Sequence, residues 1–417
     1  MKNFPRSFIV LLTGETIASI GARVVYLVIP LIAVSSFGAS TTKVGLLVAA
    51  GFASPALCGT FAGRMIDRIA KRRVLVFVNA AAALLLPVVP LAQQAHLLSL
   101  GVLIVVSFLS AGLVAADDIA LMSALPRLVE PTALGRANGL LSAVMSVAAV
   151  VGPALLAALL TRLSGPWVVG AAALTFAIAA VLLMFLPELP AVPTAAPRRP
   201  ATAWARLTEG LQIVSADRAL ATLVWVAVAA RGFTAVCAGL EAVFIVGHLG
   251  VSPRLFALAF TVGGLGAFLG SVASGAMMSR VSTPLLLAGG LCLTFLARGA
   301  MSMLHGSHDM VAIGFGISLV MVSISASTIN VAFMTAVQSR TPPESMGQVI
   351  GTVISMIGIA MPIGALIGAG SGAVLGVRPT LMLASLGFLM LAMVCAVASA
   401  TMGFRTKEAS AAPEMGD

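Results

Sequence analysis

Membrane-length apolar runs fill the chain from Phe8 almost to Thr401, and they dictate its solvent. A helix that crosses a hydrocarbon core needs about 20 apolar residues. Runs of that size fall at 8–34, 44–66, 73–92, 98–124, 138–160 and 166–187, then at 219–247, 254–278, 282–303, 309–336, 347–372 and 378–403. The expected class is therefore all-α and polytopic, with twelve transmembrane helices and both termini on one side. Hydrophobic residues make up 60% of the chain and charged ones 9%, too few to cover a water-facing surface. The first run contains Glu15 and Arg23 and leads straight into further spans, so it reads as part of the folded body and not as a leader. The long 98–124 and 309–336 runs are expected to tilt or to emerge into the interface.

Basic residues set the orientation. Lys2, Arg6, Arg64, Arg68, Lys71, Arg72, Arg73, Arg127, Arg136, Arg198, Arg199, Arg206, Arg218, Arg280, Arg340, Arg405 and Lys407 fall on the side of the termini. Lys43, Arg162, Arg254, Arg298 and Arg378 are assigned to the other side. Positive residues stay inside, so the termini are expected in the cytoplasm of a bacterial inner membrane, and the net charge of +10 reports topology instead of nucleic-acid binding. Cys58, Cys237, Cys292 and Cys395 lie singly in apolar runs, and His96, His248, His305 and His308 offer no ligand spacing. No metal or cofactor is expected. With no GxxxxGK[ST] loop and no HExxH element, an enzyme is not expected either.

The second half repeats landmarks of the first. Gly51 and Gly263, Gly63 and Gly275, Arg68 and Arg280, Gly135 and Gly347, Gly139 and Gly351, and Gly152 and Gly364 all stand 212 positions apart. Duplication explains this better than chance in a glycine-rich chain, because a basic loop position and the order of apolar runs repeat with it. The expected division is an N-terminal six-helix bundle at 1–187, a linker at 188–218, a C-terminal six-helix bundle at 219–403 and a tail at 404–417. Prolines between Pro187 and Pro200 break any continuous helix there, and Trp204, Leu207, Leu211 and Ile213 predict a short interfacial amphipathic helix after them. Gly59xxxGly63, Gly135xxxGly139, Gly266xxxGly270, Gly347xxxGly351 and Gly364xxxGly368 predict close helix contacts. Gly139, Gly152, Pro153, Pro362 and Gly364 are the expected packing or bending positions.

The segment Gly63-Arg64-Met65-Ile66-Asp67-Arg68-Ile69-Ala70-Lys71-Arg72-Arg73 resembles the signature loop of the major facilitator superfamily. Arg136-Ala137-Asn138-Gly139 and Gly152-Pro153 extend the resemblance along the chain. It implies two pseudo-symmetric six-helix bundles and alternating access. Within the superfamily the chain most resembles bacterial drug-efflux proteins and siderophore exporters. It departs from their pattern at Ala70, Ser279 and Gln348, and Val105-Val106-Ser107-Phe108 lacks a fourth-span arginine. The resemblance implies that Gly63, Asp67, Arg68, Lys71 and Arg72 form a conformational-switch loop, in which Asp67 exchanges partners as the inner face closes.

Charges inside apolar spans are the candidate transport machinery, since exposing one to lipid costs about 2.5–3.5 kcal/mol at a helix centre. Glu15 and Arg23 in the first span, and Arg231 and Glu241 in the seventh, are expected to face a central cavity with Tyr26. Asp117 and Asp118 point about 100° apart on a helix, so one can face the cavity while the other meets a neighbour. Glu15, Asp117, Asp118 and Glu241 are the proton-coupling candidates; Arg23, Tyr26 and Arg231 are the substrate-binding ones, with Arg23 and Arg231 read as corresponding sides of the path. The expected function is proton-coupled export of small hydrophobic or amphipathic compounds by a monomer in a lipid bilayer. The alternatives are an exporter of siderophores or other anionic metabolites, a lysolipid transporter and a nontransporting membrane sensor.

Overall fold

The computed structural model describes residues 4–58, 69–188, 203–277, 281–341 and 345–401. Among them every regular element is helical: α1 Arg6–Phe37, α2 Thr41–Leu57, α3 Lys71–Leu85, α4 Val88–Gln94, α5 Leu100–Leu128, α6 Leu134–Leu159, α7 Gly165–Leu183, α8 Ala203–Ala216, α9 Arg218–Ala242, α10 Pro253–Met277, α11 Thr283–Ser302, α12 His308–Arg340, α13 Met346–Val374 and α14 Val377–Thr401. Eleven of the described helical stretches have the length and hydropathy of a span, and α2 is a shorter apolar helix of 17 residues. This is a multi-pass membrane protein. Its outward side chains, such as Leu84 at 80% and Val374 at 84% exposure, are apolar because the surrounding solvent is hydrocarbon.

Local chemistry sets the helix ends. Ser99 and Ser307 accept bonds from the amides of Val102 and Met310 at the starts of α5 and α12, and Gly38 ends α1 with a left-handed φ of 52°. The run expected as one span at 73–92 is one membrane-length stretch, Lys71–Gln94, whose helix is interrupted once. Pro87 lacks an amide donor, and α3 stops at Leu85 before α4 resumes at Val88. At its far end α9 widens into a π-helical segment, Val243–His248. The expected interfacial helix is α8; it packs on α9 and α13.

Packing partners repeat between the halves. In the first, α1 packs on α6 and α7, α2 on α5, and α3 on α5 and α7. In the second, α9 packs on α13 and α14, α10 on α12, and α11 on α12 and α14. Contacts between the halves are led by α2 with α13 and α6 with α10, and α1 and α2 also touch α9. The repeat extends to single atoms. A Cβ at Gly152 would stand 3.2 Å from the Ile20 carbonyl oxygen, and one at Gly364 would collide with the Gly232 carbonyl oxygen. Ile20 and Gly232 are themselves 212 positions apart.

Buried side chains show where the halves join. At the end bearing the α1–α2 turn, one core contains Val28, Leu31 and Ile32 of α1 together with Leu240, Phe244, Phe315 and Leu381 of the second half. At the opposite end the core is divided. Phe8, Leu11, Leu75, Leu121 and Leu125 form one cluster, and Leu223, Leu291, Phe333, Val349 and Phe388 form another. The halves are fused at one end and part at the end that carries the N-terminus.

That parting corrects part of the small-residue reading. Gly266 and Gly270 meet the backbone of Val320 and Ile324, and Gly368 meets Val236, as close packing requires. A Cβ placed at Gly135, Gly139 or Gly351 would meet no atom of the described residues within 4 Å, so these glycines face open space. They lie at the parted end, where no described neighbour reaches them.

Candidate central cavity

A cavity of about 380 Å³ lies where the fused core gives way to the parted halves. Most of its wall comes from α1, α2, α3 and α5, with Met145 from α6, Phe176 from α7, Ala238, Glu241 and Ala242 from α9, and Phe256 and Phe260 from α10. Four carboxylic acids, Glu15, Asp117, Asp118 and Glu241, line it against one guanidinium, Arg23. Tyr26 also lines it. The volume is within the range of small-molecule sites, toward its lower end.

The acids near the parted end form one cluster. Asp117 is buried and accepts a 2.8 Å hydrogen bond from Asn79 Nδ2, which also donates to the Leu75 carbonyl at 2.9 Å. Glu15, 2% exposed, lies within electrostatic range of Asp117, and its Oε1 has no partner among the described residues. Asp118 takes the other direction off α5, exposed to the cavity and attracted by Arg23. Asn79 escaped the sequence reading because a neutral amide in Val76-Phe77-Val78-Asn79 carries no charge penalty to flag it. The available signal was a lone strong hydrogen-bonding group in an apolar helix.

The fused end is arranged differently. Glu241 Oε1 receives a 2.7 Å hydrogen bond from Arg298 Nη1, and both side chains are buried. The Arg298 Nε is unpartnered among the described residues. This corrects the assignment of Arg298 to the outer loop side: it lies inside α11 among neighbouring helices, 4% exposed. Tyr26 sits within electrostatic range of this pair, bringing α1 toward α9 across the cavity.

Arg231 does not line this cavity and stands exposed on α9. Seven residues separate it from cavity-lining Ala238, which returns it to within about 20° of the same face and about 10 Å nearer the parted end. It therefore continues the cavity wall toward the mouth. Its reading as the counterpart of Arg23 needs correction. Arg23 packs its stem against Gly152, and the matching Gly364 contact belongs to the register in which Arg23 corresponds to Ala235 and Arg231 to Ser19. The Gly152-Pro153 and Pro362-to-Gly364 positions lie inside α6 and α13, where Gly152 and Gly364 supply close approach to α1 and α9.

Of the loop between α2 and α3, Gly63, Asp67 and Arg68 lie outside the described residues. Lys71 opens α3 and is buried at 1% exposure, Arg72 is half-buried, and exposed Arg73 meets Glu188 at 3.3 Å. The proline-rich part of the linker is also outside the described residues. Among the described residues no three His, Cys, Asp or Glu side chains gather as a metal-binding group.

Similarity to known proteins agrees with this architecture. The chain matches the Major Facilitator Superfamily over residues 11–365 and belongs to it, a family of membrane transporters and not of enzymes. It is 29% identical over 252 residues to the uncharacterised MFS-type transporter y4rN of Sinorhizobium fredii (strain NBRC 101917 / NGR234), spanning 58% of each chain. Among solved structures, a bacterial homologue of the human lysosomal transporter Spinster, inward-facing and unoccupied, aligns with TM-score 0.73 at 16% identity, covering 96% of this chain and 98% of that one. A POT family transporter in complex with 5-aminolevulinic acid aligns with TM-score 0.75 at 12% identity, covering 96% and 97%. At these identities the structures establish the fold alone.

Proposed function

We propose that this transporter exports small amphipathic compounds, preferentially cations, from the cytoplasm in exchange for protons. The observation that carries the reading is the excess of carboxyl groups over cations in a largely apolar cavity: with Glu241 paired to Arg298, the three acids Glu15, Asp117 and Asp118 face Arg23 alone. A buried negative charge without compensation is costly, so it travels through the closed state only when a proton or a cationic substrate accompanies it. Competition between those two cargoes for the Glu15–Asp117–Asp118 cluster is the physical basis of exchange. Arg23 tempers Asp118, and Arg231 marks the mouth. Glu241 stays with Arg298 as a fixed pair.

The reading includes two six-helix units, residues 1–187 and 219–403, joined by 188–218 and followed by a tail at 404–417. Repeated packing partners and the shared 212-residue register support it. With the termini cytoplasmic, the parted end faces inward and loads substrate there. Alternating access then closes that end and opens the fused one. Asp67, Arg68, Lys71 and Arg72 stabilise the inner face when it closes, in a multi-pass protein of a bacterial inner membrane.

Arg23 favours a second reading, export of an anionic metabolite. Purified protein in sealed vesicles under an imposed pH gradient separates the two. Gradient-driven accumulation of an amphipathic cationic dye, exceeding that of a matched anion, is the expected result. Flux indifferent to the gradient, or anion flux lost in Arg23→Gln, contradicts the proposal.

A further inference from the structure

A second concavity lies on the membrane face of the second half, away from the central cavity. It is a groove of about 620 Å³ between α9 and α14, with Ser215, Arg218 and Thr222 toward one end and Trp225, Ala229, Leu391 and Val394 among its apolar wall. Among the described residues no carboxylate lines it. Arg218 is the first residue of α9 and is exposed, which places its guanidinium at the membrane surface on the parted side. The neighbouring acid does not neutralise it: Asp217 bonds Arg340 at 3.0 Å and caps the amides of Ala219 and Leu220. Trp225 lies seven residues further along the same helical face, about 10 Å deeper, and is 58% exposed.

The geometry points to a binding site for one anionic phospholipid, its phosphate at Arg218 and Ser215 and an acyl chain along Trp225, Leu391 and Val394. Polarity falls along the groove in the order of a lipid: cation and hydroxyls at the surface, indole below, aliphatic side chains beneath. A soluble anion would satisfy the guanidinium but leave the apolar length unused. A zwitterionic lipid would fill that length while bringing its own cation close to Arg218. An arginine near the surface contributes roughly 1 kcal/mol toward an anionic lipid, which is about fivefold in preference.

Full-length protein in mixed micelles, titrated with phosphatidylglycerol or phosphatidylcholine brominated in the acyl chain, tests this through tryptophan quenching. Trp225→Phe isolates the groove signal from Trp167 and Trp204. Brominated phosphatidylglycerol is expected to quench Trp225 at about one fifth the mole fraction required of the phosphatidylcholine. Arg218→Gln is expected to abolish that preference, Arg218→Lys to retain most of it, and Trp225→Phe to remove the selective quenching even with Arg218 in place. Glycerophosphate, which has no acyl chain, is expected not to compete. Equal quenching by the two lipids, selective quenching that survives Trp225→Phe, or displacement by glycerophosphate at matched concentration would each overturn the assignment. Because the lipid comparison and Trp225→Phe leave Arg218 intact, a folding defect in Arg218→Gln does not decide the outcome.

Discussion

Both ends of the cavity bury carboxylic acids, yet their surroundings are opposite. At the fused end Glu241 is held by Arg298 at 2.7 Å, a cation from another helix. Toward the parted end, Asp117 has a neutral donor, Asn79, and a second acid, Glu15. The first arrangement is an ion pair, neutral in itself. The second gains a favourable partner whenever a proton or cation arrives. The two halves therefore share a packing plan, with Gly152 and Gly364 meeting backbone at matched positions, while their ionisable chemistry has diverged.

Breaking the neutral pair should have the largest effect. Removing one member of a buried ion pair leaves an uncompensated charge and costs about 3–5 kcal/mol. Arg298→Ala is thus expected to lower the thermal midpoint of purified protein sharply, and adding Glu241→Gln is expected to recover much of the loss. A double variant no better than Arg298→Ala would show that the guanidinium acts through packing alone.

Next in size is a contrast between glycines. Gly152→Val drives a side chain into the Arg23 stem and Ile20 carbonyl, and overpacking of this kind costs about 1–3 kcal/mol. Gly139→Val projects into open space and is expected to leave the stability within about 0.5 kcal/mol of wild type. If the parted ends meet during the cycle, Gly139→Val should still slow transport. Equal destabilisation by both valines would contradict the parted arrangement.

Asp217→Asn tests the periphery. Partial burial pushes the Asp217 carboxyl up, but hydrogen bonds from Arg340 and from the Ala219 and Leu220 amides prevail and hold it below the usual carboxylate value. A lowered folded value means the contribution is present above the unfolded value, about 3.9, and is lost as pH falls through the folded one. The expected loss is at most about 1 kcal/mol at pH 7, because the pair is partly exposed. The gap between wild type and Asp217→Asn should close on acidification; a gap independent of pH would show that the carboxylate charge does not contribute.

The spans were legible because apolar length has few other uses, and part of the repeat was legible because glycines that meet backbone, such as Gly152 and Gly364, keep their spacing. Glu15, Asp117 and Asp118 were legible as cavity residues for the same reason: a charge within an apolar span needs an interior surface. Arg298 was not, since four residues from the end of α11 look like a boundary until the neighbouring helices cover them. The π-helical end of α9 and the break at Pro87 arise from local backbone geometry and tertiary packing that hydropathy does not encode. The parted end was invisible too, because the same sequence must serve more than one arrangement of its halves.

The most direct test replaces Asp117 by Asn and Glu15 by Gln, singly and together, and compares uphill with exchange transport in sealed vesicles. Amide replacement keeps the size and removes the titrating oxygen. At least one folded single variant is expected to lose proton-driven accumulation by tenfold or more, roughly 1.4 kcal/mol of coupling, while retaining substrate binding and substrate–substrate exchange. Wild-type accumulation with an unchanged pH response in both single variants and the double would contradict the account.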